Sequence, residues 1–389
     1  MPPPPLPATP AGSPPPLSAV RGAIAVPSRA LRGWLIAAAI LAALSLGLVM
    51  LILLGLSTGF VGLIGGIILA TLPVPFYMLL ALWIDRFEKE PVWMLIGAFV
   101  WGATVAVFVA FVFNTIFEAI AYNAIAEMAG VATATLSAPV IEELGKGLAL
   151  VIFYFWKRDE FDNVIDGIIY AAMVGLGFAM TENILYYGRA IAEGGLGGSV
   201  FVFFLRGVVS PFAHPFFTSM TGIGLGLAQQ SRQGSPLKII APLIGLMVAM
   251  ALHGLWNLSA AFGAVFLVAY VVVMVPAFGG VLLLIGFSLR SEGRIIRQHL
   301  ATERESGFLD PAAFEALCTV RGRFGDTCSA WRSGGFASLR ARRQFHAFAS
   351  ELAFHRWRTS RGILPRIGTA AEREAAVLQR LHTLKSRLR

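Results

Sequence analysis

The chain has 389 residues, of which 57% are hydrophobic and only 14% are charged. Because soluble domains carry about 25% charged residues, this composition excludes an ordinary soluble enzyme and indicates a protein that crosses a membrane several times. The formal net charge is +9. The segment from residue 290 to residue 389 contains 19 Lys and Arg but only 9 Asp and Glu, so it holds the whole basic excess.

The first 30 residues contain two polyproline-like runs, at residues 2–5 and 14–16. Such runs cannot build a packed core, so we predict that residues 1–30 form a disordered arm. We do not expect a signal peptide here, because the first apolar run starts too late and is too long.

Eight later segments are long enough to cross a bilayer, which takes about 20 predominantly apolar residues. They cover approximately residues 33–56, 62–84, 93–118, 134–156, 164–187, 207–229, 237–260 and 264–288. The sequence therefore predicts an all-α fold, a polytopic membrane bundle of about eight transmembrane helices in residues 31–289. Arg206 interrupts the apolar run that begins near Val200, so residues 198–206 are either the start of the sixth span or a re-entrant piece.

The loops that carry basic residues fall on one side of these spans, at residues 85–90, 157–162 and 231–238. Basic loops are typically cytoplasmic, so we predict a multi-pass protein of the cell membrane with both termini in the cytoplasm. Residues 290–389 then form a basic, partly helical cytoplasmic tail. Its segment 340–357 resembles an amphipathic helix that would bind anionic lipid of the inner leaflet. No nucleic-acid-binding motif is present, so nucleic acid is not expected as a partner.

Charged side chains inside the predicted spans are the strongest functional signal. Glu142 and Glu143 stand side by side within an apolar span, where one charge costs about 2.5–3.5 kcal/mol. At about 1.5 Å per residue, Glu142, Glu182, His214 and His253 lie about 8–12 Å in from the outer ends of four spans. Four helices are therefore predicted to bring polar groups to one site in the outer half of the membrane.

Helical spacing refines this prediction. Glu142 and Lys146 are four residues apart and share a face, while Glu143 points about 100° away, so Lys146 is expected to balance the charge of Glu142. His253 and Asn257 likewise share a face. Gly222-x-x-x-Gly226 is typical of close helix packing.

Two mechanisms of peptide hydrolysis fit these residues. In the first, His214 and His253 bind zinc together with a carboxylate from Glu143 or Glu182, and a remaining glutamate is the general base. In the second, a glutamate activates water without a metal, while histidine and Asn257 stabilise the oxyanion. The residues alone leave both mechanisms open.

Other classes fit less well. The sequence has no His-Glu-x-x-His, no pair of transmembrane aspartates and no Gly-x-Ser-x-Gly. A proton- or cation-coupled transporter is the alternative function, because intramembrane Glu and His residues also form proton relays. Transporters usually show internal repeats with broken helices, and no convincing repeat is present here.

The ordered motifs of residues 80–260 resemble those of the PrsW-type intramembrane proteases and, more distantly, the CAAX-prenyl-endopeptidase-like membrane proteases. The matching stretches are Asp85–Pro91, Glu142–Lys146, Asp166–Tyr170, Gly175–Asn183, His214–Pro215 and His253–Asn257.

This resemblance implies a membrane metallopeptidase that cleaves membrane-anchored proteins, in bacteria often an anti-sigma factor, during regulated intramembrane proteolysis. It implies a catalytic core of Glu142, Glu143 and His214. His214, His253 and Glu182 are expected as ligands of Zn²⁺, with Lys146, Asn183 and Asn257 in supporting positions. Cleavage is expected near the extracytoplasmic side of the membrane.

Overall fold

The computed structural model describes residues 29–157, 160–232, 234–362 and 369–387, and within these ranges the chain is helical with no β-strand. The predicted all-α class is therefore confirmed. Residues 1–28 of the proline-rich arm lie outside the described residues, so its predicted disorder stays a prediction.

The described residues form fifteen α-helices. These are α1 (Arg29–Thr71), α2 (Val74–Ile84), α3 (Val92–Trp101), α4 (Val107–Ile125), α5 (Ala129–Ala132), α6 (Ala138–Trp156), α7 (Val164–Phe203), α8 (Ala213–Gln230), α9 (Leu237–Ala260), α10 (Ala264–Ala269), α11 (Val275–His299), α12 (Ala301–Glu305), α13 (Pro311–Leu317), α14 (Val320–Ser360) and α15 (Ala370–Arg387). Short π-helical segments interrupt the helical path at Gly102–Ala106, Thr133–Ser137, Phe204–Val209 and Tyr270–Met274.

Six helical stretches of the described chain are long and apolar enough to cross a membrane. They are Gly33–Ile84, Val92–Trp156, Val164–Gly195, Gly197–Gln230, Leu237–Ala260 and Ala264–His299. The first two have 52 and 65 residues, more than one crossing needs, and each contains two of the predicted spans. Gly59, with φ +70°, bends the first stretch, and the non-helical Ile125 divides the second. A multi-pass membrane bundle is confirmed, whereas the number of eight crossings stays a prediction.

Helix α7 is the central helix of the bundle, and its start is fixed by a capping box. The Asn163 side chain accepts hydrogen bonds from the backbone N–H groups of Ile165 and Asp166, at 2.7 and 3.2 Å. The Asp166 carboxylate in turn accepts from the backbone N–H of Asn163, at 2.9 Å. Beyond this cap α7 packs against α1, α3 and α8. A helix with apolar residues on every side is buried in this way, so polar groups such as Asp166, Thr181 and Asn183 of α7 are buried in the protein.

Glycines bring the backbones of α7 and α8 into direct contact. A Cβ atom at Gly175 would lie 2.6 Å from the backbone nitrogen of Pro215, and one at Gly222 would lie 2.1 Å from the Gly167 carbonyl oxygen. Any larger residue would push the helices apart. The predicted packing role of Gly222 is therefore confirmed. The contact of Gly175 with Pro215 holds the start of α8, which carries His214, against α7.

The chain breaks its helical path immediately before α8. Residues 198–206, left open by the sequence, are helical and follow a bend at Gly195, where φ is +61°. The break comes later, at residues 210–212, where the Ser210 hydroxyl donates to the Leu205 carbonyl oxygen at 2.7 Å. Non-helical backbone within a membrane is tolerated where it is buried in protein or lines a polar cavity.

The tail is folded onto one end of the bundle. On α14, Phe345, Ala349, Leu352 and Phe354 are buried in a cluster that also contains Phe87, which lies between α2 and α3. Protein therefore covers the apolar face of residues 340–357, while binding of the basic tail to anionic lipid stays a prediction. The exposed aromatic side chains of α14 are instead Phe324, Trp331 and Phe336, in its first part.

Arg358 connects this tail to the bundle through two carboxylates. Its Nη1 atom lies 2.7 Å from Glu88 Oε1 and 3.0 Å from Asp162 Oδ2. Burial raises the pKa of Asp162 and raises that of Glu88 to about 8, while the guanidinium acts in the opposite direction on both. The ionised forms of these carboxylates therefore depend on Arg358.

We predict that Arg358→Ala lowers the free energy of unfolding by about 3 kcal/mol, because it removes the guanidinium that pairs with the buried Asp162 and the partly buried Glu88. The carboxyls of the variant have folded-state pKa values above their unfolded values. Their contribution to stability is then present at low pH and lost as pH rises, so the deficit should shrink from pH 8 to pH 6.

The measurement is thermal unfolding in detergent with a thiol-reactive dye that reports exposure of the buried Cys318. Arg332→Ala, which removes an exposed arginine from the same helix, is the matched control. Equal unfolding midpoints for the two variants would contradict the role given to Arg358.

Candidate active site

Four helices contribute polar residues to one buried location. Helix α6 carries Glu142, Glu143 and Lys146, α7 carries Glu182 and Asn183, α8 carries His214 and Thr218, and α9 carries His253 and Asn257. We call Glu142, Glu143, Lys146, Glu182, His214 and His253 the polar cluster. The structure brings these six side chains together, as the similar depths of four of them in the sequence predicted.

Lys146 lies at the centre of the polar cluster and is fully buried. Its Nζ atom is 2.9 Å from Glu143 Oε1, 3.3 Å from Glu142 Oε2 and 3.0 Å from His214 Nδ1. It also lies 3.9 Å from the centre of the Phe178 ring. Because an ammonium group only donates hydrogen bonds, His214 Nδ1 is the acceptor in this arrangement. Lys146 therefore balances both glutamates of α6, and not Glu142 alone.

Glu143 holds His253 in place. Glu143 Oε1 lies 3.0 Å from His253 Nδ1, and Glu143 Oε2 accepts a hydrogen bond from the Thr218 hydroxyl at 3.0 Å. His253 Nε2 is then directed towards Glu142, 3.8 Å from its Oε2 atom. A carboxylate that accepts from one ring nitrogen of a histidine leaves the other nitrogen free as a metal ligand.

Glu182 stands behind the second histidine. Its Oε2 atom is 3.0 Å from His214 Nε2 and also pairs with Arg206. Arg206 Nε donates to the Asn183 side-chain oxygen at 2.6 Å, and the guanidinium lies 3.8 Å from the centre of the Tyr186 ring. Asn183 thus acts on the site through Arg206, which it holds in the orientation that meets Glu182.

Asn257 ties α9 to the segment that precedes α6. Its side-chain nitrogen donates to the carbonyl oxygen of Ala134 at 2.8 Å. Ala134 lies in the π-helical segment Thr133–Ser137, and π-helical segments are frequent at functional sites. In this geometry Asn257 fixes the rim of the site.

A cavity of about 700 Å³, here called the large cavity, opens beside the polar cluster. Glu142, Glu182, His214, His253 and Arg206 all line it, whereas Glu143 and Lys146 are absent from its wall. The two adjacent glutamates therefore differ in access. Glu142 can meet a substrate or water, and Glu143 is fully buried behind His253.

The polar cluster contains a set of donors that fits a divalent metal ion. Glu142, His214 and His253 are buried, and each offers one possible ligand atom within 4.8 Å of the others. Two imidazole nitrogens and one carboxylate oxygen are the ligands of many hydrolytic zinc sites. The Lys146 ammonium already lies next to two of these donors, so the site is built to hold positive charge. Glu182 falls outside this set, because its Oε2 contacts Arg206 and the far nitrogen of His214.

Two aromatic residues of the site were missed from the sequence. Phe217 stacks on His253 with ring centres 5.0 Å apart and planes 20° apart, and Phe178 lies 5.1 Å from His214. A usable signal was present, since Phe178 precedes Glu182 by four residues and Phe217 follows His214 by three. Those spacings place each ring on the helix face of a site residue.

Membrane helices that enclose a cavity lined with carboxylates and imidazoles have the construction that an intramembrane hydrolase requires. Residues 90–281 match the profile of the PrsW family of intramembrane metalloproteases. No solved structure matches the chain significantly.

Curated relatives agree with this match. The chain is 29% identical to Protease PrsW of Oceanobacillus iheyensis over 168 residues, which is 43% of this chain and 70% of that protein. It is 31% identical to Protease PrsW of Bacillus subtilis over 176 residues, 44% of this chain and 72% of that protein. It is 32% identical to Protease PrsW of Geobacillus kaustophilus over 146 residues, 37% of this chain and 58% of that protein. The chain belongs to the PrsW family and is an intramembrane metalloprotease.

We predict that Lys146→Met destabilises the protein by about 3 kcal/mol, because Glu142 and Glu143 lose their buried counter-charge. Added Zn²⁺ should recover part of this loss, because a divalent ion among the same donors replaces the missing positive charge. Thermal unfolding in detergent with and without Zn²⁺ measures both effects.

Lys238→Met, at the start of α9, is the control for removal of a lysine outside the polar cluster. A zinc effect on Lys146→Met no larger than that on the wild type or on Lys238→Met would contradict this prediction.

Proposed function

We propose that this protease is a zinc-dependent endopeptidase that cleaves a membrane-anchored protein near the extracytoplasmic end of its membrane segment. The observation that carries the proposal is the grouping of Glu142, His214 and His253 within 4.8 Å on the wall of a cavity among membrane helices. The position near the outer face follows from the predicted cytoplasmic location of both termini. An anti-sigma factor is the substrate that the sequence resemblance suggests.

Glu142, His214 and His253 would hold the metal. A divalent ion bound by such residues polarises the substrate carbonyl and makes water a better nucleophile at neutral pH. Glu143 fixes the ring of His253 and Glu182 fixes that of His214, both at 3.0 Å. These two carboxylates leave His253 Nε2 and His214 Nδ1 as the ligand atoms, and a metal would replace the hydrogen bond that His214 Nδ1 accepts from Lys146. This assignment places Glu142, and not Glu182, in the ligand set.

Glu182 is the proposed general base. Glu143 does not reach the cavity, and Glu142 belongs to the ligand set, so Glu182 is the one carboxylate of the polar cluster that remains on the cavity wall. Its Oε2 is engaged by Arg206 and His214, whereas Oε1 takes part in neither contact. We assign to Oε1 the acceptance of a proton from the attacking water and its transfer to the leaving amine. Arg206 keeps the carboxylate oriented.

The large cavity has the size of a substrate site, since such sites typically measure about 300–1,000 Å³. A helical peptide bond is shielded by its own hydrogen bonds, so a membrane-spanning substrate must unwind locally before hydrolysis. The break at residues 210–212 borders the cavity and places polar backbone at that location. A transporter function is not favoured, because the family match indicates a hydrolase.

We predict that His214→Ala and Glu142→Ala abolish cleavage, because each removes a ligand of the metal. The assay uses purified protein in proteoliposomes with a panel of single-span reporter proteins randomised over the outer half of the span, and mass spectrometry identifies new termini. Glu127→Gln, an exposed glutamate outside the cavity wall, is the control. Full activity of either alanine variant would contradict the proposed site.

We further predict that Glu143→Ala and Glu182→Gln lose cleavage activity for different reasons. Glu143→Ala weakens the orientation of His253, which should lower metal affinity about 10- to 100-fold, so excess Zn²⁺ should restore cleavage. Glu182→Gln removes the proton acceptor and should lower kcat by about 10²–10⁴ without recovery in excess Zn²⁺. A zinc titration of cleavage rates separates the two. Recovery of Glu182→Gln by zinc would contradict its assignment as the base.

A further inference from the structure

A second, smaller cavity adjoins the large cavity. It measures about 200 Å³ and lies between α8, α9, the π-helical segment Tyr270–Met274 and α11, and it is here called the small cavity. Ser210, Ala213, Phe217 and Trp256 line both cavities. The two spaces therefore share a wall, formed by Ser210 in the break before α8 and by residues of α8 and α9, which carry His214 and His253.

The wall of the small cavity is apolar. Aromatic rings meet around it, with ring centres 5.5 Å apart for Phe212 and Phe278 and 5.7 Å apart for Phe216 and Phe278. The Tyr270 hydroxyl donates to the Val209 carbonyl oxygen at 3.2 Å, and the Ser210 hydroxyl donates to Leu205. Because both hydroxyl protons are already used within the protein, the wall favours a hydrocarbon occupant over a polar one.

The partition between this space and the catalytic groups is one aromatic ring. Phe217 lines both cavities, stacks on His253 with ring centres 5.0 Å apart, and meets His214 edge-on at 6.3 Å. A group in the small cavity that contacts Phe217 is thus one side chain away from both histidines. Successive residues of an extended peptide advance by about 3.3 Å, so such a group belongs to a residue close to the scissile bond.

We propose that the small cavity is a specificity pocket for one large apolar side chain, such as Leu, Met or Phe, of the substrate residue that flanks the scissile bond. An apolar protein cavity of about 150 Å³ binds benzene, so a space of 200 Å³ accommodates a side chain of that size. The proposal rests on the proposed function, because the pocket selects substrates for that same site. In this proposal Met274, Val275 and Phe278 determine which substrate sequences are preferred, and none of them is part of the polar cluster.

The test compares Val275→Phe, which fills the pocket, with Phe278→Ala, which enlarges it. Val272→Phe is the matched control, because it adds the same ring to the same part of the chain at an exposed position outside the pocket wall. Cleavage of the randomised single-span reporters is followed by mass spectrometry. One position beside the cleavage site should carry Leu, Met or Phe in the products of the wild type.

Val275→Phe should lower the rate ratio of Phe-containing to Ala-containing reporters about tenfold or more, with the Ala reporters cleaved as fast as by the wild type. Phe278→Ala should admit Trp at the same position, and Val272→Phe should keep the wild-type preference. An unchanged preference in both pocket variants would overturn the proposal. A uniform loss across all reporters would also overturn it, since that pattern indicates a structural role or a bound lipid.

A second readout requires no turnover. Reporters that carry a photoreactive benzoyl-phenylalanine at single positions are mixed with the His214→Ala protein and irradiated. One position should crosslink to Met274, Val275 or Phe278, and Val275→Phe in the same background should remove that crosslink. If no position crosslinks to these residues, the proposed specificity pocket is overturned, whatever cleavage activity the protein shows. Crosslinking without any cleavage by the wild-type protein would instead count against the proposed function alone.

Discussion

The site depends on the burial of charge inside an apolar bundle, and Lys146 is the group that makes this burial possible. Glu142, Glu143 and Glu182 place three carboxylates among membrane helices, and the cations that contact them are Lys146 and Arg206. A buried charge is tolerated only when it is paired and hydrogen-bonded. Lys146 meets both glutamates of α6 and His214, so it fixes the relative positions of α6 and α8.

The need to pair buried charges also gives the adjacent residues Glu142 and Glu143 different roles. Glu143 and Glu142 are adjacent in the chain, yet one is fully buried behind His253 and the other lines the large cavity. Each histidine has a carboxylate at 3.0 Å, from α6 for His253 and from α7 for His214. This pairing across four helices means that the orientation of the ligands depends on the packing of the bundle as well as on the ligands themselves.

The sequence predicted the all-α membrane fold and the meeting of α6, α7, α8 and α9, because a charge inside an apolar span is costly and its depth follows from helical rise. It could not show which glutamate of α6 faces the cavity, since residue spacing gives the angle between Glu142 and Glu143 but not the direction of either. The packing of α6 against α8 and α9 decides that direction.

The position of the tail is a second feature that could not be predicted from the sequence. An apolar face on residues 340–357 was visible in the sequence, but whether lipid or protein covers it depends on contacts between distant segments. Arg358 bonds to Glu88 and Asp162, which lie some 200 residues or more earlier in the chain. The loop with Asp162 leads directly into the cap of α7, and α7 also carries Glu182. The start of α7 is thus linked to the tail, and a later part of the same helix carries a residue of the site.

Glu142, His214 and His253 are proposed to hold one metal ion, and the metal content of the protein tests this proposal most directly. Elemental mass spectrometry of the detergent-purified protein should find close to one zinc per chain in the wild type and in Glu182→Gln. The zinc should be lost from Glu142→Ala, His214→Ala and His253→Ala. Absence of metal from the wild type, together with cleavage that persists in the presence of a chelator, would contradict the claim and leave the Lys146 ammonium as the permanent cation of the site.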